Sequence, residues 1–282
     1  MAGSTTITLN DLLPQIVAEA QFVASERSIM RGLVRNYAIP AGSGKSIVVP
    51  VYPKQSAAVV TEGDEVSNTA VSTTGTTITV STVAIRTLVT DLARNSAASN
   101  VVADVGRLFG EAIARKIDAD LMAKFAEFTT NTVGSTTSTI SAATVFQAVA
   151  KLKAQGYDTM DIACVLHPAI AYDLKANLTN TFANPNGGDL QNEAMRAGFV
   201  GMLAGVPVYE SANMADNGTA GDFVGGVFHR DALGLALVQD ISIETQRRAS
   251  YLGDDIVASA HYGVGTIQEA AGVAVSADSS IL

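Results

Sequence analysis

The 282-residue sequence contains no tryptophan, one cysteine, seven prolines and only 16% charged residues. A lone thiol, Cys164, excludes an internal disulfide, and its place in the apolar run Ile162 to Leu166 reads as a buried structural group. The opening MAGSTTITLN lacks the basic and apolar segments of a signal peptide, which points to folding in a reducing cytoplasm. Hydrophobic residues make up 48%, yet no run of eighteen apolar residues occurs, so no membrane span is expected. Cations are scarce as well: 18 Lys and Arg against 27 Asp and Glu leave a net charge of −9, the wrong sign for a nucleic-acid reader with a basic groove.

Signatures of catalysis are missing too. No nucleophile elbow is present. In YAIPAGSGKSIVVPVYP, Gly44, Lys45 and Ser46 imitate the end of a phosphate-binding loop, but Ile39 stands where that loop needs glycine. The following Ile47 to Tyr52 is β-branched and holds Pro50, where a helix would have to start. His167, His229 and His261 are scattered. Only Cys164 with His167 has ligand-like spacing, and two ligands do not close a zinc site. No metal and no cofactor are expected, and the chain does not read as an enzyme. A small cytosolic hydrolase would need a convergent triad to which nothing in the sequence points.

What is present is one dominant helical signal. In Asn100 to Phe128, the residues Val102, Val105, Phe109, Ile113, Ile117, Leu121, Phe125 and Phe128 recur at steps of three and four, one face of a long spine helix. Ser99 or Asn100 can cap it. The other face is charged, with Arg107 to Glu111, Glu111 to Arg115, Lys116 to Asp120 and Asp120 to Lys124 each four apart. Gly106 and Gly110 lower helix propensity by about 1 kcal/mol each, so they suggest a bend or a close backbone contact. Asp118 and Asp120 lie two apart and share no helix face, and both read as solvated.

In chain order, Leu9 to Val34 reads as an N-terminal helix or arm. Ser46 to Val60 and Thr76 to Val89 are rich in β-formers and flank the polar TEGDEVSNTAVSTTG, which predicts a two-stranded hairpin with arms of about fourteen residues, some 45 Å long at roughly 3.3 Å per residue. Such a ribbon cannot bury both faces on its own domain, so it needs a partner. Ile78 and Val80 share one face and Val83 and Ile85 the other, a phase change that predicts a bulge or bend near Ser81 and Thr82. Thr129 to Ser141 is a linker or a pair of short strands. A helix over Ala142 to Gln155 closed by Gly156, a strand over Ile162 to Leu166, a helix begun by Pro168, a loop at Asn184 to Asp189 and a strand over Gly205 to Glu210 follow. Apolar runs at Phe223 to Phe228, Leu233 to Val238, Ile241 to Thr245, Asp255 to Val264, Thr266 to Ala270 and Val273 to Val275 end the chain in strands. The whole is an α+β body. In the loop RRASYLGDD, Asp254 and Asp255 with Arg247 and Arg248 read as a salt bridge between subunits.

The order of these parts resembles the major capsid proteins of tailed bacteriophages. The likeness rests on the hairpin with Glu62 and Gly63 in TEGDEV, VAIRTLVTDLARNS, the spine, GMLAGVPVYES, VFHRDALGLALVQD and YGVGTIQEAAGVAV, and runs from about Leu9 to Val275. That fold is shared with encapsulins and the herpesvirus capsid floor. The resemblance implies an N-terminal arm (1–45), an extended-loop hairpin (46–89), a peripheral domain with the spine (90–141), an axial domain with a central sheet (142–220) and closing strands shared by both (221–282). It implies a shell of hexamers and pentamers around double-stranded DNA held without sequence-specific binding, assembled in the bacterial cytoplasm. A separate scaffolding protein, a portal and a decoration protein are the implied partners, and Glu62, Gly63, Asp64 and Glu65 at the hairpin tip are the expected contacts with a neighbour. The alternative of the same fold is an encapsulin compartment holding cargo enzyme.

Overall fold

The computed structural model describes residues 28–182 and 202–282, apart from 41, 43, 53, 54, 56, 58, 64, 67, 69 and 97–100. Most of the expected N-terminal helix, the helix caps at Ser99 and Asn100, Asp64, and the loop at Asn184 to Asp189 lie outside the described residues.

Two sheets and one long helix form the body. The helices are α1 (Met30–Leu33), α2 (Asp91–Ser96), α3 (Val101–Ala123), α4 (Ala142–Ala154) and α5 (Pro168–Phe182). The strands are β1 (Arg35–Ala38), β2 (Ser46–Val51), β3 (Thr74–Thr79), β4 (Ser81–Thr90), β5 (Thr132–Ser135), β6 (Ile162–Leu166), β7 (Met202–Leu203), β8 (Val206–Glu210), β9 (Asp222–His229), β10 (Leu233–Arg248), β11 (Gly253–Thr266) and β12 (Gly272–Asp278). A four-stranded sheet has the order β1-β10-β11-β4, and a six-stranded sheet the order β5-β12-β9-β6-β8-β7.

The spine α3 lies against β4, β10 and β11, and the 3-10 turn that continues it, Lys124–Glu127, reaches β9 and β12. It therefore ties the two sheets into one core. Val105, Phe109, Ile113, Ile117, Leu121, Phe125 and Phe128 are all buried, as the periodicity predicts. Phe125 packs at 5.3 Å from Phe228 and 6.2 Å from Phe128, ring centre to ring centre. The glycines of the sheet make room for these rings. A Cβ on Gly226 would meet the Phe125 ring at 2.6 Å, and one on Gly272 the Phe128 ring at 2.4 Å.

Where the strands differ from the sequence reading, two causes operate. The runs Leu233 to Val238 and Ile241 to Thr245 form the single strand β10, whose register against β11 breaks on either side of Gln239, so the polar Gln239 and Asp240 are absorbed as an irregularity. The hairpin is shorter than expected, since β2 and β3 pair only over Ser46–Val51 and Thr74–Thr79. After Val80 the chain changes partner, and β4 pairs along β11. The phase change in the apolar pattern marks this switch: Ile78 and Val80 join a small satellite core with Ile39, Val49 and Ala236, whereas Val83 and Ile85 pack on the main core.

Candidate functional site

The chemistry-bearing side chains are occupied in structural roles. Cys164 is buried in β6, and burial pushes its thiol up to about 12, which keeps it protonated and unreactive. His167 stacks on Phe223 at 3.8 Å, and burial lowers its pKa. Among the described residues no group of three or more His, Cys, Asp or Glu is placed to hold a metal ion.

Asp118 corrects the reading that it is solvated. It faces inward from α3, is fully buried, and accepts hydrogen bonds from Ser28 Oγ (2.7 Å), Ile29 N (3.0 Å) and Met30 N (3.2 Å). Spacing along the spine could not reveal this, because the donors come from a segment about ninety residues away. Asp118 satisfies the free N–H groups at the start of α1 and fixes where the arm enters the body. Asp120 accepts from Lys116 Nζ (2.6 Å) and from Tyr262 Oη (2.8 Å). Of the expected helical pairs, Arg115 with Glu111 and Lys116 with Asp120 form, while Lys124 turns to Glu127 at 2.7 Å.

At the opposite end of β10 and β11, antiparallel register sets Arg247 beside Asp254 and Arg248 beside Gly253. Alternation then sorts the charges onto two faces. On one, Asp255, only 5% exposed, receives Arg248 Nε at 2.6 Å and Arg86 at 2.9 Å. On the other, Asp254 meets Arg94 at 3.0 Å and Arg247 at 3.5 Å, and both arginines also hold Asp91. The pairs suggested between subunits thus form inside one chain. Arg86, Arg94 and Asp91 went unnoticed in the sequence because only the β4–β11 register and α2 bring them there.

The other predicted contacts lie at the hairpin. Its root is held by the satellite core, but beyond it Tyr52, Val59, Val60, Val66 and Val71 are exposed, as are Glu62, Gly63 and Glu65. Gly63 has φ +96°, a turn conformation that suits glycine. Gly106 and Gly110 are buried within an uninterrupted α3.

A body whose buried carboxylates, Asp118, Asp173 and Asp255, are all hydrogen-bonded or ion-paired and whose thiol is inert, with an apolar ribbon left uncovered, has the build of a structural protein that completes itself on other copies. The family model for phage capsid proteins matches residues 73–276, and the chain belongs to that family; it is a phage major capsid protein. The fold is that of the capsid of cyanophage P-SCSP1u (18% identity, 90% of this chain and 89% of that one, TM-score 0.70) and of the capsid of a native GTA particle (14%, 91% and 91%, 0.68). It is also that of the holo-SrpI encapsulin from Synechococcus elongatus PCC 7942 (11%, 90% and 88%, 0.64). A search of curated proteins gives no match.

Proposed function

We propose that copies of this chain assemble as hexamers and pentamers into an icosahedral shell around the double-stranded DNA of a tailed bacteriophage, in the cytoplasm of its host. The observation that carries this is the hairpin: its root is anchored, while the valines beyond lie bare to water, so each copy has apolar surface that only a neighbour can cover. Many such contacts, each given and received, make a strong shell from weak parts. The net charge of −9 suits a container that holds DNA without gripping it. The protein acts structurally, without a catalytic step, and a separate scaffolding protein, a portal and a decoration protein are its expected partners. Gly106 and Gly110 let the spine bend or pack closely as the shell changes shape; replacing both with alanine should leave the folded subunit helical but alter expansion of the particle, and unchanged expansion would count against this role.

Electron microscopy of the purified protein tests the reading. Closed particles support it, and a monomer that persists under every condition overturns it. The encapsulin alternative differs in content: an enzyme inside native particles, in place of DNA, would establish it.

A further inference from the structure

The chain has two Asn-Gly pairs, Asn186–Gly187 outside the described residues and Asn217–Gly218 in the turn that leads into β9. Such pairs favour turns because glycine accepts backbone angles closed to other residues, and Gly218 does so here at φ +87°. The turn is held by its own backbone. Asn217 N donates to the Asp222 carbonyl at 2.8 Å, Asp222 N donates to the Thr219 carbonyl at 3.1 Å, and Asp216 bridges Phe223 in antiparallel register. None of these bonds uses the Asn217 side chain or the Gly218 N–H, and neither group has another hydrogen-bond partner among the described residues. Asn217 is exposed, and a Cβ placed on Gly218 would meet nothing within 4 Å. Other asparagines are engaged or shielded. Asn36 Nδ2 donates to the Arg31 carbonyl at 3.0 Å, Asn177 Nδ2 to the Ile140 carbonyl at 2.6 Å, and Asn131 is buried. Each is followed by a residue with a side chain, Tyr37, Leu178 and Thr132, which crowds the next backbone amide.

An asparagine amide beside an open backbone N–H can react without an enzyme. The Gly218 nitrogen, once its proton has gone to hydroxide, attacks Asn217 Cγ. The bond from Cγ to the side-chain nitrogen breaks, that nitrogen takes a proton from water and leaves as ammonia, and a succinimide ring closes. One water then opens the ring. Attack at Cγ restores the ordinary main chain with an aspartate side chain, whereas attack at the Asn217 main-chain carbonyl carbon leaves the chain running through Cγ as isoaspartate. The sum is one water consumed and one ammonia released, with no oxidation or reduction. We infer that Asn217 is a self-modifying site of the folded protein, converting to aspartate and isoaspartate as the protein ages. The new carboxylate is ionised at neutral pH and takes the net charge of the chain from −9 to −10, in a turn that already carries Asp216 and Asp222 and has no Lys or Arg between Met214 and Phe223. The isoaspartate form also inserts a methylene carbon into the main chain inside the loop that Asn217 N closes on the Asp222 carbonyl. The same turn receives Ser279 N at the Gly221 carbonyl, so the change is felt where the end of β12 is fastened to it.

The chemistry does not depend on the shell-forming reading. Purified protein is held at neutral and at mildly alkaline pH, sampled over weeks, digested and read by tandem mass spectrometry. Position 217 should gain the mass difference between an amide and an acid, as a mixture of aspartate and isoaspartate, and gain it faster at the higher pH. In water enriched in heavy oxygen, each converted chain should carry one heavy oxygen at that position. Asn217→Gln should slow conversion at least about tenfold, because the larger ring brings the amide less readily to the attacking nitrogen. Three results overturn the inference: no gain at position 217 in the folded protein while the denatured chain gains it, a larger gain at Asn36 or Asn213, or converted chains without heavy oxygen. Each can be read whether or not particles form, so failure here leaves the shell reading untouched.

Discussion

Asp118 shows how a single residue carries information its neighbours in sequence do not. Burial raises its pKa above the usual carboxylate value, and the hydrogen bonds from Ser28, Ile29 and Met30 pull the other way without winning. The folded protein therefore holds this proton more tightly than the unfolded chain. The stability contributed by this group is fully present below the unfolded pKa and is lost as pH rises through the higher folded value. Measured as the difference in Tm between wild type and Asp118→Asn, acidification from about pH 7 to about pH 4 should favour the wild type progressively, other carboxylates cancelling. Parallel Tm curves would contradict it. Glycine offers a second residue-scale test. Gly272→Ala puts a methyl group into the Phe128 ring, at 2.4 Å. Overpacking of this kind costs about 1–3 kcal/mol, and a drop in Tm of several degrees is expected, whereas no change would mean that the ring has room to move.

At the scale of elements, period and partner separate. The spine was legible because seven buried apolar side chains repeat along one face, a pattern that needs no knowledge of what it packs against. The strand β6 and the start of α5 at Pro168 were legible for the same local reasons. The hairpin was only half legible, for β3 and β4 are equally rich in β-formers and nothing local says that one pairs with β2 and the other with β11. The break at Val80 did leave a trace, the phase change of the apolar pattern. If residues 52–73 serve neighbours and not the body, replacing them with an Asn-Gly turn should shift the stability of the monomer by less than about 1 kcal/mol while abolishing efficient assembly. Denaturation of the variant and electron microscopy of its products read the two effects apart. Normal shells from it would refute the role given to the ribbon.

For the whole molecule, the question is what holds one copy to the next. Lys45 sits at the hairpin root, its carbonyl bound to Val80 N, Lys54 follows on the first arm nearer its base than its tip, and no lysine occurs from Gln55 to Ile85, so the tip region carries no amine to attack a neighbour. A lysine reaches only about 6 Å on its four-carbon stem. Cys164 is buried and unreactive. A shell held without covalent links is the expected outcome: boiled in detergent, untreated particles should give one band at the 29.1 kDa chain mass, and a ladder of linked pentamers and hexamers would refute this.

By itself the sequence determined the spine, the helix over Ala142–Ala154, the strand over Ile162–Leu166, the α+β class and the family likeness, because each follows from the local period of apolar groups or from the order of motifs along the chain. Tertiary structure alone decided that Asp118 is buried, that β4 leaves the hairpin, and that Arg86, Arg94 and Asp91 join Arg247, Arg248, Asp254 and Asp255. The reason is common to all three. Each depends on a contact between segments tens to more than a hundred residues apart, and side-chain periodicity records which face of a segment is apolar but not which segment comes to cover it.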